Sequence, residues 1–81
     1  MQIIRITALW CPSCLIMKKV LNNEFKEVEF IDYDYDFDEE IVKKYNPGKI
    51  LPVLIKVKEG KEIDRLIGEK TKEEVQEFLG V

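Results

Sequence analysis

The stretch Gln2-Ile3-Ile4-Arg5-Ile6-Thr7-Ala8-Leu9-Trp10-Cys11-Pro12-Ser13-Cys14 decides how the rest of this 81-residue chain is read. From Gln2 to Ala8 it carries Ile3, Ile4 and Ile6 with Thr7, an apolar, β-branched run of strand length. Beyond Cys14, Met17, Val20 and Leu21 recur with helical spacing while Lys18, Lys19 and Asn22 can face water, which predicts a helix from about Pro12 to Asn23. Pro12 falls at the first helical position, where its missing N–H costs nothing and its fixed φ suits the turn. The two cysteines of the chain therefore stand two residues apart where a strand gives way to a helix. Two sulfurs there can close into a small disulfide, and the first sits where unsatisfied backbone N–H groups stabilise a thiolate.

Length and charge bound what such a pair can serve. Residues 1–81 are expected to form a single domain with one core. Thirteen basic against 16 acidic residues give a net charge of −3, which offers no basic stripe to a nucleic acid and no cationic face to a membrane. The start, Met1-Gln2-Ile3-Ile4-Arg5, lacks the pattern of a signal peptide, and no run approaches a membrane span, so a cytoplasmic location is expected. A bridge between Cys11 and Cys14 would tie together nothing remote, and in a reducing compartment transient redox use is the better expectation. Zinc is the rival. A closed site wants four ligands, and the chain has no histidine and no further cysteine, so no metal is expected within one chain. Two chains sharing one metal through four thiolates remain the non-enzymatic alternative.

The remaining sequence alternates between strand and helix patterns. Val28-Glu29-Phe30-Ile31-Asp32-Tyr33 reads as a second strand. The acidic and aromatic run from Asp34 to Glu40 lacks the glycine and the distant glutamate of a calcium loop. It reads instead as the entry to a helix, with Asp38, Glu39 and Glu40 at the positive end and Ile41, Val42 and Tyr45 as its apolar side. Asn46-Pro47-Gly48 ends that helix. Val53 to Lys58 and Lys61 to Ile67, joined by Glu59-Gly60, predict an antiparallel hairpin. Thr71 and Glu74 form a capping box ahead of Val75, Phe78 and Leu79. The order β-α-β-α-β-β-α predicts an α/β fold with a mixed four-stranded sheet and three helices. Strands separated by helices are expected to pair in parallel.

A strand ending in Trp10-Cys11-Pro12-Ser13-Cys14 at a helix start, with Ile50-Leu51-Pro52 ahead of a hairpin and Gly68-Glu69-Lys70-Thr71-Lys72 entering the last helix, resembles the thioredoxin and glutaredoxin families. The resemblance covers nearly the whole chain and implies a minimal thioredoxin-like fold in which Pro52 is cis and packs beside the cysteines. It also implies thiol–disulfide oxidoreductase activity, with Cys11 as the exposed nucleophile and Cys14 as the buried resolving thiol. Trp10, Pro12 and Ser13 would border the substrate, and the backbone at Leu51, next to Pro52, would meet it as a strand. No cofactor is implied beyond the redox-active Cys11–Cys14 disulfide. The implied partners are disulfide-containing proteins and a donor, either a thioredoxin-reductase-like enzyme or a low-molecular-weight thiol, acting on a monomer.

Two departures matter. Thioredoxins carry a buried aspartate six residues before the first cysteine, and that position here is Arg5, read as a side chain reaching solvent at a sheet edge. Placed under the sulfurs instead, its charge would favour thiolates. Pro12-Ser13 is closer to the glutaredoxin dipeptide, yet Ile67-Gly68-Glu69-Lys70-Thr71 lacks the double glycine and the aspartate with which glutaredoxins grip glutathione. A glutathione-coupled, glutaredoxin-like reductase is therefore the second reading.

Overall fold

The computed structural model describes residues 1–80 and contains β1 (Gln2–Thr7), α1 (Pro12–Glu24), β2 (Phe30–Asp34), α2 (Glu39–Tyr45), β3 (Val53–Lys58), β4 (Lys61–Ile67) and α3 (Lys72–Leu79). This is the order expected from sequence. The strands form a mixed sheet in the order β2-β1-β3-β4. β1 and β2 run parallel, joined by α1, whereas β3 runs antiparallel to β1 and pairs with β4 as a hairpin. Parallel pairing across every helical connection is thus corrected for β3. α2 has seven residues, and the chain re-enters the sheet with Val53 opposite Ile6, at the end of β1 where it left β2.

Alternation along the strands divides the core in two. Ile4, Ile6 and Ala8 join Val53, Ile55 and Val57 against Val42 of α2, whereas Ile3 and Leu54 meet Met17, Leu21 and Phe25 of α1 and Val75, Phe78 and Leu79 of α3. Ile6, Leu21, Val53 and Ile55 are fully enclosed, each worth roughly 1.5–3 kcal/mol of apolar burial. Val20 is half-buried rather than part of α1's packed stripe.

The ends of the elements follow local chemistry. β2 begins at Phe30 instead of Val28, because the Val28 amide donates to the Phe25 carbonyl at 3.1 Å and closes a turn there. Thr71 caps α3, its hydroxyl oxygen accepting from the Glu74 amide at 3.2 Å. Its hydroxyl also meets the Glu74 carboxylate at 3.1 Å, so the box closes side chain to side chain. Asp38 precedes α2, but its carboxylate accepts from the Asp34 amide at 2.8 Å instead of capping the helix.

Candidate active site

Strand order assembles the site. β1 ends at Thr7, and the next residues bend so that the Cys11 amide donates to the Ala8 carbonyl at 3.2 Å. Because β3 starts opposite Ile6, the Leu51–Pro52 segment immediately before it lies against the end of β1. Leu51–Pro52 is a cis peptide and both residues are buried, as the resemblance implied. Two motifs 40 residues apart in sequence therefore meet at one end of the sheet.

Cys11 is the N-cap of α1 and Pro12 opens the helix. The extended backbone of Cys11 (φ −99°, ψ 109°) turns its side chain toward the first turn, and the Cys14 amide donates to Cys11 Sγ at 3.2 Å. Sulfur here does what a serine or aspartate oxygen does at other helix starts. Cys11 Sγ also reaches the Leu51 carbonyl at 3.9 Å, a long contact consistent with a weak thiol donor. Both thiols are free.

The expectation of an exposed nucleophile needs correcting: Cys11 is only 7% exposed, because the Leu51 backbone and the first turn of α1 close over it. Cys14 is more deeply placed at 1%. Burial, followed by its hydrogen bond with Cys11, pushes the Cys14 thiol up to about 12, with the charges of Cys11 and Asp34 adding to the rise and the Ala8 backbone opposing it. Cys14 is accordingly a protonated thiol across the neutral range.

Pro12 is exposed and Ser13 half-buried, at the mouth of the motif. Trp10 is exposed yet held in place, its indole N–H donating to the Asp36 carboxylate at 2.7 Å and its ring standing edge-on to Tyr35 at 6.1 Å. Tyr35 in turn donates its hydroxyl to the Gly48 carbonyl at 3.4 Å. Tyr35 and Asp36 belong to the acidic–aromatic run that sequence reading assigned to a helix entry. Their spacing carries no mark of a tryptophan lying 26 residues earlier. Exposed Leu9, Leu15 and Ile50 stand next to Trp10, Cys14 and Leu51 in the chain.

Arg5 lies neither at a sheet edge nor in solvent. β1 is enclosed by β2 and β3, and Arg5 is 4% exposed. Its guanidinium forks onto Asp32, the residue directly opposite on β2, through Nε–Oδ1 at 2.5 Å and Nη2–Oδ2 at 2.9 Å. Nη1 donates to Asn22 Oδ1 at 3.2 Å, and the cation sits 4.5 Å from the Phe30 ring centre. These partners are not sulfurs, and Arg5 is not among the groups that shift Cys14. A structural ion pair occupies the position of the family's aspartate.

Among the described residues no group of three or more histidine, cysteine, aspartate or glutamate side chains is placed to hold a metal ion, and no helix is long and apolar enough to cross a membrane.

Comparison with known proteins gives consistent matches. The Thioredoxin family model matches residues 1–80. Thioredoxin H2 of Arabidopsis thaliana is 31% identical over 74 residues, covering 88% of this chain and 55% of the relative. Thioredoxin H5 of the same plant is 31% identical over 80 residues, covering 95% and 66%. The chain spans about half the length of the first curated relatives it matches. Among solved structures, the thioredoxin of Fasciola hepatica is 31% identical with a TM-score of 0.77, covering 98% of this chain and 79% of that one. The reduced thioredoxin pre-protein of Schistosoma mansoni, 22% identical with a TM-score of 0.83 over 96% and 74%, shares the fold.

Proposed function

This chain belongs to the thioredoxin family, and on that premise we propose that it is a thiol–disulfide oxidoreductase that reduces protein disulfides by dithiol exchange through Cys11 and Cys14. The observation that carries the reading is the placement of Cys11 Sγ at the N-cap of α1, 3.2 Å from the Cys14 amide and beside the Leu51 carbonyl.

The division of labour follows from that geometry. Cys11, as thiolate, attacks one sulfur of a substrate disulfide; a new S–S bond forms as the substrate's own breaks, and the other substrate sulfur leaves as a thiolate. Cys14, held protonated by burial, loses its proton to that departing thiolate or to water and attacks Cys11 Sγ. The second substrate sulfur is released, and the Cys11–Cys14 disulfide now carries the two-electron oxidation that the substrate has lost. A thioredoxin-reductase-like enzyme or a low-molecular-weight thiol returns two electrons and restores the dithiol. The reaction needs no further cofactor.

Exposed Trp10, Pro12 and Ile50 with half-buried Ser13 form the substrate-facing rim in this reading, and the Ile50–Leu51 backbone aligns an extended peptide. The protein acts as a monomer in the cytoplasm. Protein disulfides rank ahead of glutathione because Gly68 stands alone where a glutathione grip has two glycines. Burial of both sulfurs weighs against a metal shared between two chains, which would need four thiolates at a common surface.

The test is alkylation of the reduced protein across pH with the modified residue located by mass spectrometry, together with insulin reduction by wild type, Cys11→Ser and Cys14→Ser. Cys11 is expected to react first, Cys14→Ser to accumulate a mixed disulfide, and Cys11→Ser to be inactive. Equal reactivity of the two thiols with no trapped adduct would overturn the reading.

A further inference from the structure

Arg65 on the edge strand β4 makes more polar contacts than its half-buried position requires. Glu62, three residues earlier, grips it through Nε–Oε2 at 2.6 Å and Nη2–Oε1 at 2.6 Å, which fixes the plane of the guanidinium. Arg65 then donates from Nη2 to the Tyr45 carbonyl at 2.8 Å and from Nη1 to the Asn46 carbonyl at 3.3 Å. Those are the last carbonyls of α2, the negative end of that helix, where a cation is favoured. Asn46 has a left-handed backbone (φ 48°), so the chain turns sharply at the point that Arg65 holds.

Six residues later the same segment is tied again. The Gly68 amide, three residues beyond Arg65, donates to the Pro52 carbonyl at 2.8 Å, and a Cβ on Gly68 would come within 3.3 Å of Ile50. Residues 46–52 are thus pinned at one end by Arg65 of β4 and at the other by Gly68 just after that strand, with the Tyr35 hydroxyl on Gly48 between the pins. That segment carries Ile50 and the Leu51 carbonyl that meets Cys11.

We infer that Arg65, oriented by Glu62, is a positioning residue that sets the Ile50–Leu51 backbone at the height a protein substrate needs over Cys11. The inference rests on the dithiol-exchange reading for its kinetic consequence. Its geometric content, that the guanidinium fixes residues 46–52, stands separately. Arg65 touches neither substrate nor sulfur and acts through the end of α2.

The experiment pairs Arg65→Ala with Arg65→Lys and Glu62→Gln, all checked for folding by circular dichroism. Loss of the two carbonyl hydrogen bonds should raise KM for insulin about 3–10-fold in Arg65→Ala while kcat falls less than twofold. Arg65→Lys keeps a donor for one carbonyl and is expected to recover part of the loss, and Glu62→Gln to show a smaller rise in KM. Equal losses in kcat and KM, or unchanged insulin kinetics, would overturn the inference. Amide chemical shifts separate it from the activity itself. Arg65→Ala should move the Lys49, Ile50, Leu51 and Cys11 resonances even if the wild type proves inactive on insulin, in which case the functional reading alone fails. Shifts confined to residues 45, 46 and 62–66 would refute the positioning role.

Discussion

Removing Asp32 should damage this protein more than removing the arginine it pairs with. In Asp32→Ala the Arg5 guanidinium, 4% exposed, loses the contacts at 2.5 and 2.9 Å and is left with Asn22 Oδ1 at 3.2 Å and the Phe30 ring. Stripping the partner from a buried charge costs roughly 3–5 kcal/mol. Here the Asp32 side chain is 42% exposed, so water can enter where the carboxylate stood, and about 2–3 kcal/mol is the better expectation. A domain of this length is stabilised by only about 4–12 kcal/mol in total, so the loss would be plain in a denaturation curve. Arg5→Met, by contrast, removes the cation, keeps the apolar stem against Phe30 and lets Asp32 hydrate, at a cost of about 1 kcal/mol or less. Urea unfolding of wild type, both single variants and the double variant measures the coupling directly, and about 1–2 kcal/mol is expected. Cys11 alkylation in Arg5→Met should stay within about twofold of wild type, since the guanidinium's partners are on β2 and α1 and not at the sulfurs. Equal costs for Arg5→Met and Asp32→Ala would refute the reasoning, and so would an Asp32→Ala variant as stable as wild type.

Alkaline pH should weaken the reduced fold through Cys14. An unfolded thiol releases its proton near pH 8.5 whereas the buried one holds it to about 12, so between those values the unfolded chain binds fewer protons and stability falls as pH rises. The stabilising contribution is complete below about pH 8.5 and declines by at most ~1.4 kcal/mol per unit above it; urea unfolding of wild type and Cys14→Ser at pH 7.5, 9 and 10 checks this, and parallel declines would contradict it. Glu59 and Gly60 both have positive φ, 52° and 78°, in the hairpin turn, so Glu59→Asn should stabilise by about 0.5–1 kcal/mol, seen as a higher Tm. Gly68→Ala must adopt φ +87° with its Cβ 3.3 Å from Ile50, and a loss of about 1–2 kcal/mol is expected from the same measurement.

The sequence by itself determined what local chemistry controls. Ile3, Ile4 and Ile6 specify a strand, Pro12 opens a helix, Glu59-Gly60 demands a tight hairpin, and Thr71 caps a helix, because each acts on neighbours within a few residues. That the two cysteines meet was legible for the same reason, their spacing being a property of one helical turn. Tertiary structure decided what long-range contacts control. It turned β3 antiparallel and brought the Leu51 carbonyl to Cys11, closing over a sulfur expected to be open. It gave Trp10 its partner in Asp36, and it buried Arg5 by placing Asp32 opposite it across a parallel register. A charged residue in a strand reads as solvent-facing until its cross-strand neighbour is known, and that neighbour is fixed by register rather than by any local preference.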